Sequence, residues 1–383
     1  MRNFFDKGFT VGVLGGGQLG RMLIEAAGPL NVRLAVLDPS ASAPCSEVAH
    51  TFTCGDFADF DAVVNFGKEK DVLTVEIEHV SVPALYALQA EGIKVYPRPQ
   101  LLEIVQDKGL QKLFFEQHQI PTARFALFNN GQEAVAAFGA PCVLKLRKGG
   151  YDGRGVQVVK NNDTAQNLFD APVVAEEAVQ IDKELSVIVS RNEQGECAVF
   201  PSVEMLFNPE ANLVELLFSP AQISEALEHE ARTLALKTAA AFELTGIMAV
   251  EMFLTKRGQL MVNEVAPRPH NSGHHTIEAN ITSQYQQHLR AILNLPPGDT
   301  SLRCPAAMIN VLGEKGHNGP VLYQGIDKVL EYSGAYIHLY GKSDTKPYRK
   351  MGHITTLGDT VGAAVQKAKQ AGEQLKVVSA IHK

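Results

Sequence analysis

The first hundred residues alternate between short apolar runs and segments with helical spacing. The run "FTVGVL" ends in a glycine turn, and similar runs follow in "VRLAVLDP", "AHTFTCGDF", "DVLTVEIEHV" and "IKVYPRP". After the first turn, Leu19, Met22 and Leu23 recur at helical intervals. Parallel strands need a crossover connection that is usually a helix, so this alternation predicts a doubly wound parallel sheet.

The pattern changes twice after this region. From Pro99 to about Ala175, a helical stretch leads into several strand signals, which predicts a small α+β unit. From Leu185 onward the strand signals are longer and follow one another, which favours an antiparallel sheet with one long amphipathic helix at 221–242. A tail from about Pro305 returns to short strands and ends in a helix. The fold class predicted is therefore α/β together with α+β.

Composition excludes several classes of partner. The 383 residues carry a formal net charge of −7, so we expect no general attraction to nucleic acid or to an anionic membrane. No apolar run approaches the roughly 18 residues that cross a bilayer. The five cysteines are scattered without a C-x-x-C pair, which favours free thiols. The N-terminal residues lack the features of a secretion signal, and we expect a cytoplasmic protein that binds anions through local clusters of positive charge.

A glycine-rich segment, Gly15–Gly20, follows the first strand and matches G-x-G-x-x-G, while Asp38 ends the next strand. Glycines permit a tight turn, and the N-terminus of the following helix favours an anion. Three interpretations fit: a nicotinamide or flavin dinucleotide site, a turn that binds another ligand, or a purely structural turn. The motif alone does not separate them.

Two glutamates lie on neighbouring strand signals, "IMAVEMFL" and "QLMVNEV", that "TKRG" joins into a predicted hairpin. With a turn centred between Arg257 and Gly258, Glu251 lies directly opposite Glu264, about 5 Å away between Cβ atoms. Carboxylates this close repel each other unless a proton or a cation lies between them. Oxygen ligands suit magnesium, especially beside nucleotide phosphates. The alternative is a pair on the solvated face of an edge hairpin.

The segment "KLRKGGYDGRG", from Lys145 to Gly155, is both cationic and rich in glycine. It lacks the G-x-x-x-x-G-K-[ST] pattern, but its glycines let backbone N–H groups turn toward phosphate oxygens. We interpret it as a mobile loop that closes over ATP. The next strand ends at Glu176 and Glu177, which suggests a hinge whose backbone contacts adenine, with Glu184 at the ribose.

Two further polar segments suggest anion binding. "APRPHNSGHH" follows Glu264 and supplies donors for an anionic intermediate, with a histidine metal site as the alternative. "LYGKSDTKPYRKMGH" is a compact basic patch that fits either a phosphate-monoester pocket or a solvated loop.

Together these segments resemble the ATP-grasp superfamily and, within it, the 5-(carboxyamino)imidazole ribonucleotide synthetase family of purine biosynthesis. The matching segments span nearly the whole chain in the family's order: "GGGQLGRM", "QDKGLQK", "LKLRKGGYDGRG", "AEEAVQIDKELSVIVSR", "VEMFLTKRGQLMVNEVAPRPHNSGHHTIEA", "SQYQQHLRAILNLP" and "YGKSDTKPYRKMGHI". The resemblance implies an ATP-grasp fold with three domains. These are an N-terminal doubly wound domain at 1–103, a small central lid domain at 104–177, and a larger C-terminal antiparallel domain at 178–383 whose tail, 305–383, binds the substrate phosphate.

The resemblance also implies ATP and Mg²⁺ as cofactors and gives individual residues expected roles. The expected ATP-binding residues are Lys108, Lys145, Gly150, Tyr151, Asp152, Gly153, Arg154, Gly155, Val156, Glu176, Glu177, Ala178, Val179, Glu184, Asn263 and Glu264. Glu251 and Glu264 are expected to bind magnesium. The residues expected at the aminoimidazole ribonucleotide are Gln18, Leu19, Glu76, Asn271, Ser272, Lys342, Arg349 and Lys350.

The family's reaction uses ATP and bicarbonate to carboxylate 5-aminoimidazole ribonucleotide through carboxyphosphate, and the family suggests a homodimer. Arg268 and Arg154 are expected to hold carboxyphosphate, and His270 to remove the proton of the attacking amine. Asp152 and Tyr151 are expected to orient the reactants. The alternatives are a formate-dependent glycinamide ribonucleotide transformylase or another acyl-phosphate ATP-grasp ligase, a nicotinamide-dependent dehydrogenase, and a non-enzymatic nucleotide-binding regulator.

The sequence departs from the family pattern at two places. Met205, Leu206 and Phe207 stand where the family more often has polar Asn and His, so contacts from that strand are in doubt. Ala266 stands where many ATP-grasp enzymes have a metal-binding Asn, so a metal ion would rest on two protein carboxylates with phosphates and water.

Overall fold

Five parallel strands form the N-terminal sheet in the order β3-β2-β1-β4-β5, as the sequence predicts. The computed structural model describes residues 3–150, 155–161, 167–208 and 213–380. The elements of this first unit are β1 Thr10–Leu14, α1 Gln18–Ala27, β2 Arg33–Asp38, β3 Thr51–Cys54, α2 Phe60–Gly67, β4 Val72–Val75, α3 Val82–Ala90 and β5 Lys94–Tyr96. The chain leaves β1 toward β2 on one side and later returns to β4 on the other. The carboxyl ends of β1 and β4 therefore meet at a topological switch point, where ligands bind in sheets of this kind.

Two helices connect this unit to the next, where the sequence predicted a single helical stretch. They are α4 Pro99–Val105 and α5 Lys108–Gln117. The break occurs because Asp107 has an extended backbone, and its carboxylate accepts hydrogen bonds from the backbone N–H groups of Gly109 and Leu110. This N-cap begins a new helix and places Lys108 in its first turn.

The central unit is a four-stranded antiparallel sheet in the order β6-β9-β7-β8. Its elements are β6 Phe125–Phe128, α6 Gly131–Phe138, β7 Cys142–Leu146, β8 Val156–Val159 and β9 Val173–Glu177. Strands β7, β8 and β9 were predicted, whereas β6 was missed because its four residues are all half-buried and give no alternating pattern. The central unit is therefore α+β, as expected.

A larger, mainly antiparallel sheet follows, in the order β15-β14-β10-β12-β13-β16-β20-β18, with β11 paired to β10. Its first elements are β10 Ile181–Arg191, β11 Cys197–Val199, β12 Val203–Asn208, β13 Leu213–Ser219, α7 Glu225–Ala241, β14 Gly246–Thr255, β15 Leu260–Ala266, α8 Thr276–Ala279 and α9 Gln284–Ile292. The predicted strand "CAVFPSVEMLF" is two strands, because Pro201 has no N–H group to continue a ladder. Helix α7 begins later than predicted, because Ser224 caps it.

The tail contributes to the same sheet. Its elements are β16 Ala306–Leu312, β17 Gly319–Gln324, α10 Ile326–Leu330, β18 Ala335–Leu339, β19 Asp344–Thr345, β20 Lys350–Leu357, α11 Val361–Gln374 and β21 Lys376–Ser379. Strand β16 pairs with β13 and β20, while β17, β19 and β21 form a separate small sheet. The basic segment that precedes β20 is thereby fixed to the edge of the large sheet.

Shared cores join the units. Phe115 and Ile120, from α5 and the turn after it, pack into one cluster with residues of β10 and β14. Tyr285 and Leu289 of α9 pack against β1 and α1 of the N-terminal unit. These contacts set the glycine-rich turn, α5 and the β14–β15 hairpin against one another. In the described part of the chain, no helix combines the length and apolar character needed to span a membrane.

Candidate active site

The β14–β15 hairpin places Glu251 directly opposite Glu264, as predicted from the sequence. The predicted turn geometry was wrong, however, because the strands leave the turn with Leu254 opposite Leu260. Continued without interruption, that register would bring Asn263 opposite Glu251. A β-bulge at Asn263 adds one residue to β15 and brings Glu264 to this position instead.

An ammonium group and an imidazole ring approach this carboxylate pair. The Lys108 ammonium donates to Glu264, and His270 Nε2 lies 3.3 Å from Glu251 Oε1. The positive charge of Lys108 lowers the pKa of Glu264, whereas burial and then the charge of Glu264 raise the pKa of Glu251. The repulsion between the two carboxylates is thus reduced in two ways. The Lys108 ammonium offsets the charge of Glu264, and the raised pKa of Glu251 disfavours its ionised form.

The pair fits a divalent cation. Its carboxylate oxygens, the ligand type that magnesium prefers, lie on neighbouring strands, and one of them already accepts from the Lys108 ammonium. Among the described residues, no group of three or more His, Cys, Asp and Glu side chains is arranged to hold a metal ion. The protein would therefore supply two carboxylates, and phosphate and water oxygens the remaining ligands. Magnesium binding at Glu251 and Glu264 stays a prediction.

Lys145 is the penultimate residue of β7 and is buried, and it is paired, as a lysine in that position must be. Its Nζ lies 2.7 Å from Asn263 Oδ1 and 3.0 Å from Glu176 Oε1. The bulge at Asn263 therefore has a second effect, because it presents an amide oxygen to this lysine. Lys108 and Lys145 therefore contact neighbouring residues of β15, Glu264 and Asn263.

Lys112 was not recognised from the sequence as part of this site. Its Nζ lies 3.2 Å from Glu176 Oε2 and 2.6 Å from Thr122 Oγ1. Glu176 is only 3% exposed and is shared between Lys112 and Lys145. Burial opposes ionisation of Glu176, but the two lysines lower its pKa overall. One signal was available, since Lys112 follows Lys108 by four residues and so lies on the same helix face.

The proposed adenine and ribose segment joins the central unit to the large sheet. Glu177 ends β9 and accepts from the backbone N–H of Arg124, while Ala178 and Val179 lie in the turn before β10. Glu184 is on β10, where burial raises its pKa to about 7 against the opposing effect of Lys145. Nucleotide contacts at these positions stay predictions.

The strand beside Glu184 contains the departure from the family pattern. Met205 of β12 pairs opposite Glu184 and is buried, whereas Leu206 is exposed. Burial of the apolar Met205 next to Glu184 contributes to the low polarity around that carboxyl group. The described part of β12 beside Glu184 therefore offers an apolar contact at Met205 rather than a hydrogen bond.

The segment after β15 brings Arg268 and His270 to the same region. Arg268 Nε lies 2.8 Å from Glu78 Oε1, in the loop after β4 of the N-terminal unit. His270 Nδ1 lies 2.9 Å from Ser272 Oγ, which in turn lies 2.7 Å from Ser186 Oγ. His270 is therefore held between Ser272 on one side and the carboxylate pair on the other. Sequence reasoning missed Glu78 and Ser186, for which no local pattern gives a signal.

The side chains of Asn271 and Ser272 form hydrogen bonds to other side chains of the protein. Asn271 and Asn310 exchange two amide hydrogen bonds of 3.0 Å each, and Ser272 is 1% exposed. Direct contact of either side chain with the substrate stays a prediction.

Two carboxylates of the protein itself accept hydrogen bonds from backbone N–H groups of the glycine-rich segment. The backbone N–H of Gly16 donates to Asp38 at 2.7 Å, and those of Gly17 and Gly20 donate to Glu76 at 2.7 and 2.9 Å. These are the donors that a dinucleotide pyrophosphate needs, so the geometry speaks against the dinucleotide interpretation. Gly15 has φ +99°, and a Cβ there would lie 2.5 Å from Glu76 Cγ, so glycine is required for this close approach.

Two of the predicted substrate residues lie beside this turn. Gln18 begins α1 and is half-buried, while Leu19 packs into the N-terminal core. Burial raises the pKa of Glu76, and the backbone N–H groups of Gly20 and Gly17 oppose that shift. Contact of these three residues with the ribonucleotide stays a prediction.

The basic segment of the tail acts electrostatically on the carboxylate pair through Lys350. Lys342 Nζ donates to the carbonyl of Lys350 at 2.7 Å, and Arg349 donates to the carbonyl of Asp344 at 2.6 Å. Lys350 begins β20, and its charge acts on Glu251 in opposition to the effect of burial. A phosphate pocket next to the carboxylate pair is therefore geometrically possible, and phosphate binding there stays a prediction.

The predicted lid loop lies partly outside the described residues, which do not include Tyr151, Asp152, Gly153 and Arg154. Its two ends are described. Gly155 O accepts from the backbone N–H of Leu146 at 2.8 Å, and Val156 pairs opposite Lys145. The C-terminal end of the loop is thus tied to the strand that carries Lys145, and Gly150 follows that strand by four residues at the other end.

The chain matches three domain families in order. Residues 9–106 match the ribonucleotide synthetase preATP-grasp domain, residues 113–285 the ATP-grasp domain, and residues 306–367 the phosphoribosylaminoimidazole carboxylase C-terminal domain. These matches confirm the predicted ATP-grasp fold.

Full-length relatives agree with the domain matches. The chain is 40% identical to phosphoribosylaminoimidazole carboxylases of Ogataea methanolica and Candida albicans over 92% and 91% of its length. It spans only about two thirds of those proteins, namely 67% and 64%. It is 36% identical to the N5-carboxyaminoimidazole ribonucleotide synthase of Bacillus subtilis, with 91% of each chain covered.

Solved structures are similar over the same extent. The N5-carboxyaminoimidazole ribonucleotide synthetase of Thermotoga maritima is 43% identical, with a TM-score of 0.89 over 97% of this chain and 100% of that one. The Aspergillus clavatus synthase in complex with ADP and 5-aminoimidazole ribonucleotide is 34% identical, with a TM-score of 0.86 over 96% and 98%. Because these similarities extend through every unit of the fold, the chain belongs to the N5-carboxyaminoimidazole ribonucleotide synthetase family of ATP-grasp enzymes.

Proposed function

We propose that this protein carboxylates 5-aminoimidazole ribonucleotide with bicarbonate and ATP, giving N5-carboxyaminoimidazole ribonucleotide, ADP and phosphate in purine biosynthesis. The observation that carries the proposal is the convergence of Lys108 and Lys145 on the hairpin that holds Glu251 and Glu264. Lysines beside paired carboxylates are what a metal-bound triphosphate requires. The Aspergillus clavatus relative, bound to ADP and 5-aminoimidazole ribonucleotide, supports the same pair of ligands for this chain.

In this proposal Lys108 exchanges Glu264 for a nucleotide phosphate, and Lys145 contacts the transferring group. Magnesium bound by Glu251 and Glu264 would neutralise phosphate charge. The backbone of residues 176–179 contacts adenine, and Glu184 contacts the ribose. The lid loop from Gly150 to Val156 closes the site and excludes water.

The chemical step needs positioning more than it needs strong acid or base catalysis. Bicarbonate attacks the γ-phosphoryl group, ADP leaves, and the resulting carboxyphosphate is held by Arg268 and Arg154. The exocyclic amine then takes up the carboxyl carbon as the C–O bond of carboxyphosphate breaks and inorganic phosphate leaves, either directly or after release of carbon dioxide. His270 is our candidate for the base that removes the amine proton, since its ring adjoins the carboxylate pair. Tyr151 and Asp152 orient the reactants.

The ribonucleotide binds between the N-terminal unit and the tail. Glu76, Gln18 and Leu19 lie on the first side, and Lys342, Arg349 and Lys350 bind the phosphate on the other. We further propose a cytoplasmic homodimer formed through the N-terminal domain. Light scattering coupled to size-exclusion chromatography tests the dimer, and a monomeric mass would contradict it.

A coupled assay of ADP release tests the activity, with ATP and magnesium present and each co-substrate omitted in turn. We expect ADP release to require both bicarbonate and 5-aminoimidazole ribonucleotide. Replacing bicarbonate with formate and the ribonucleotide with glycinamide ribonucleotide tests the alternative transformylase. ADP release under those conditions alone, or oxidation of NADH without ATP, would contradict the proposal.

A further inference from the structure

Glu78 lies in the N-terminal unit but contacts a residue placed at the reacting phosphate. It follows β4, at the switch point of the parallel sheet, and its Oε1 lies 2.8 Å from Nε of Arg268. The two side chains are 16% and 20% exposed, so solvent screens their interaction only in part. An ion pair in this environment restricts an arginine side chain more than a fully exposed pair does.

The backbone that carries Glu78 is itself held in place. Gln106 Nε2 donates to the carbonyl oxygens of Glu78 and Val80 at 2.7 and 2.8 Å. Gln106 is two residues before Lys108, which donates to Glu264 of the carboxylate pair. The loop with Glu78 is therefore tied to the same segment that delivers an active-site lysine. The Glu78 carboxylate has little freedom to follow Arg268 if that side chain moves.

Two groups restrict the guanidinium of Arg268. The Glu78 carboxylate is its ion-pair partner at Nε, and Nη1 donates to the carbonyl oxygen of Pro269 at 3.0 Å. Together these two contacts limit rotation of the guanidinium plane. A guanidinium recognises an oxyanion best through two parallel N–H groups, so its plane must be set before the anion arrives. Preorganised donors of this kind contribute most where charge develops in the transition state.

We infer that Glu78 is a positioning residue for the reaction: it orients Arg268 so that the guanidinium meets carboxyphosphate in a productive geometry. The inference rests on the proposed function, because it assumes that Arg268 holds that intermediate. It adds a role for the N-terminal unit in the chemistry at the phosphoryl group, beyond binding the ribonucleotide. Glu78 does not contact the reacting atoms in this scheme and acts through Arg268.

A purely structural role is the alternative, since other ion pairs also join the N-terminal unit to the large sheet. Arg98, just after β5, pairs with Glu243, and both side chains are largely exposed, at 48% and 67%. This pair involves none of the side chains that we place at the active site. Glu243→Gln is therefore a matched control that removes an ion pair between the same two units.

The test compares Glu78→Gln, Glu78→Asp and Glu243→Gln with the wild type, by steady-state ADP release and thermal unfolding. We expect Glu78→Gln to lower kcat/KM for bicarbonate about 10- to 100-fold, because small misplacements of a positioning group have effects of this size. KM for ATP should stay within about twofold of wild type, since ground-state nucleotide binding is not affected. Glu78→Asp, which retains the charge, should recover part of the loss. Glu243→Gln should have wild-type kinetics.

Each other outcome contradicts the inference. Glu78→Gln with the kinetics of Glu243→Gln would show that Glu78 is only an interdomain contact. Equal decreases in kcat/KM for bicarbonate and for ATP that parallel a fall in Tm would also show that Glu78 is only an interdomain contact. If Glu78→Gln does not fold, Glu78→Asp decides, since wild-type kinetics in that variant would contradict the role. Absence of bicarbonate-dependent ADP release in the wild type would instead contradict the proposed function. The wild-type assay is done first, so the two kinds of failure are distinguished.

Discussion

Replacing Gly17 by alanine tests how the glycine-rich turn is used. Gly17 has φ −77° and ψ −160°, which alanine adopts without strain. A Cβ at this position would lie 2.7 Å from Glu76 Oε1, whereas ordinary contacts begin at 3.4 Å. The carboxylate would have to retreat by about 0.7 Å, away from the N–H groups of Gly17 and Gly20 that it now accepts from.

The size of the effect follows from those two hydrogen bonds. Hydrogen bonds to a charged group contribute about 1.5–3 kcal/mol each, and we expect the displaced carboxylate to lose roughly half of their sum. Alanine also lowers the conformational entropy of the unfolded chain, which stabilises the folded state by about 0.4–1 kcal/mol. The net expectation is a decrease of about 1.5 kcal/mol in the free energy of unfolding.

Urea unfolding followed by circular dichroism measures this change, and the chain offers a matched control. Gly28 also has a conformation open to alanine, with φ −52° and ψ −50°, and a Cβ added there would have no atom of the described residues within 4 Å. Gly28→Ala should therefore leave stability unchanged or raise it by up to about 1 kcal/mol. Equal stability of Gly17→Ala and Gly28→Ala would refute the proposed role of Glu76 in the turn.

Three further substitutions test the charges of the site. Burial raises the pKa of Glu184 from 4.5 to about 7, so its ionised form is disfavoured and the wild type loses stability as pH rises through that range. Glu184→Gln should therefore gain about 3 kcal/mol relative to wild type between about pH 4.5 and pH 7, and parallel Tm profiles would contradict this. Lys112→Met leaves buried Glu176 with one lysine partner and should cost about 3 kcal/mol in urea unfolding, whereas wild-type stability would show that the pair is unimportant. Glu251→Gln removes the repulsion between the two carboxylates and should raise the Tm of the ligand-free protein. The same substitution should raise the magnesium concentration for half-maximal ADP release about tenfold or more. An unchanged magnesium requirement would contradict the assignment of Glu251 as a metal ligand.

The sequence was most informative where the pattern is local. Strand alternation and a short turn predict the hairpin itself, because side chains in a hairpin alternate with a period of two. Glu251 faces Glu264 because the error in the assumed turn and the unpredicted bulge offset each other. The bulge at Asn263 escaped prediction, since a bulge depends on what packs against the strand. The prediction of the pair was thus correct although the assumed turn was wrong.

Contacts between distant segments were less predictable. The spacing of four residues puts Lys112 on the same helix face as Lys108, but only the packing of α5 against the large sheet shows that Lys112 is buried. The pairing of Glu78 with Arg268 joins two units and has no local signal. The glycine motif predicted the turn correctly but not its occupant, because an internal carboxylate and a ligand phosphate require the same backbone donors.

The bulge at Asn263 allows the Glu251–Glu264 pairing and the contact of Lys145 with Asn263 to be changed separately. Deleting this one residue would leave an unbroken hairpin in which Glu251 still faces Glu264, because the strand would continue in the register that it has near the turn. Such a shortened chain would keep both acidic groups but lose the amide oxygen that lies 2.7 Å from Lys145. Deleting a single codon would therefore alter the position of Lys145, our proposed phosphate contact, while leaving the proposed magnesium ligands opposite each other.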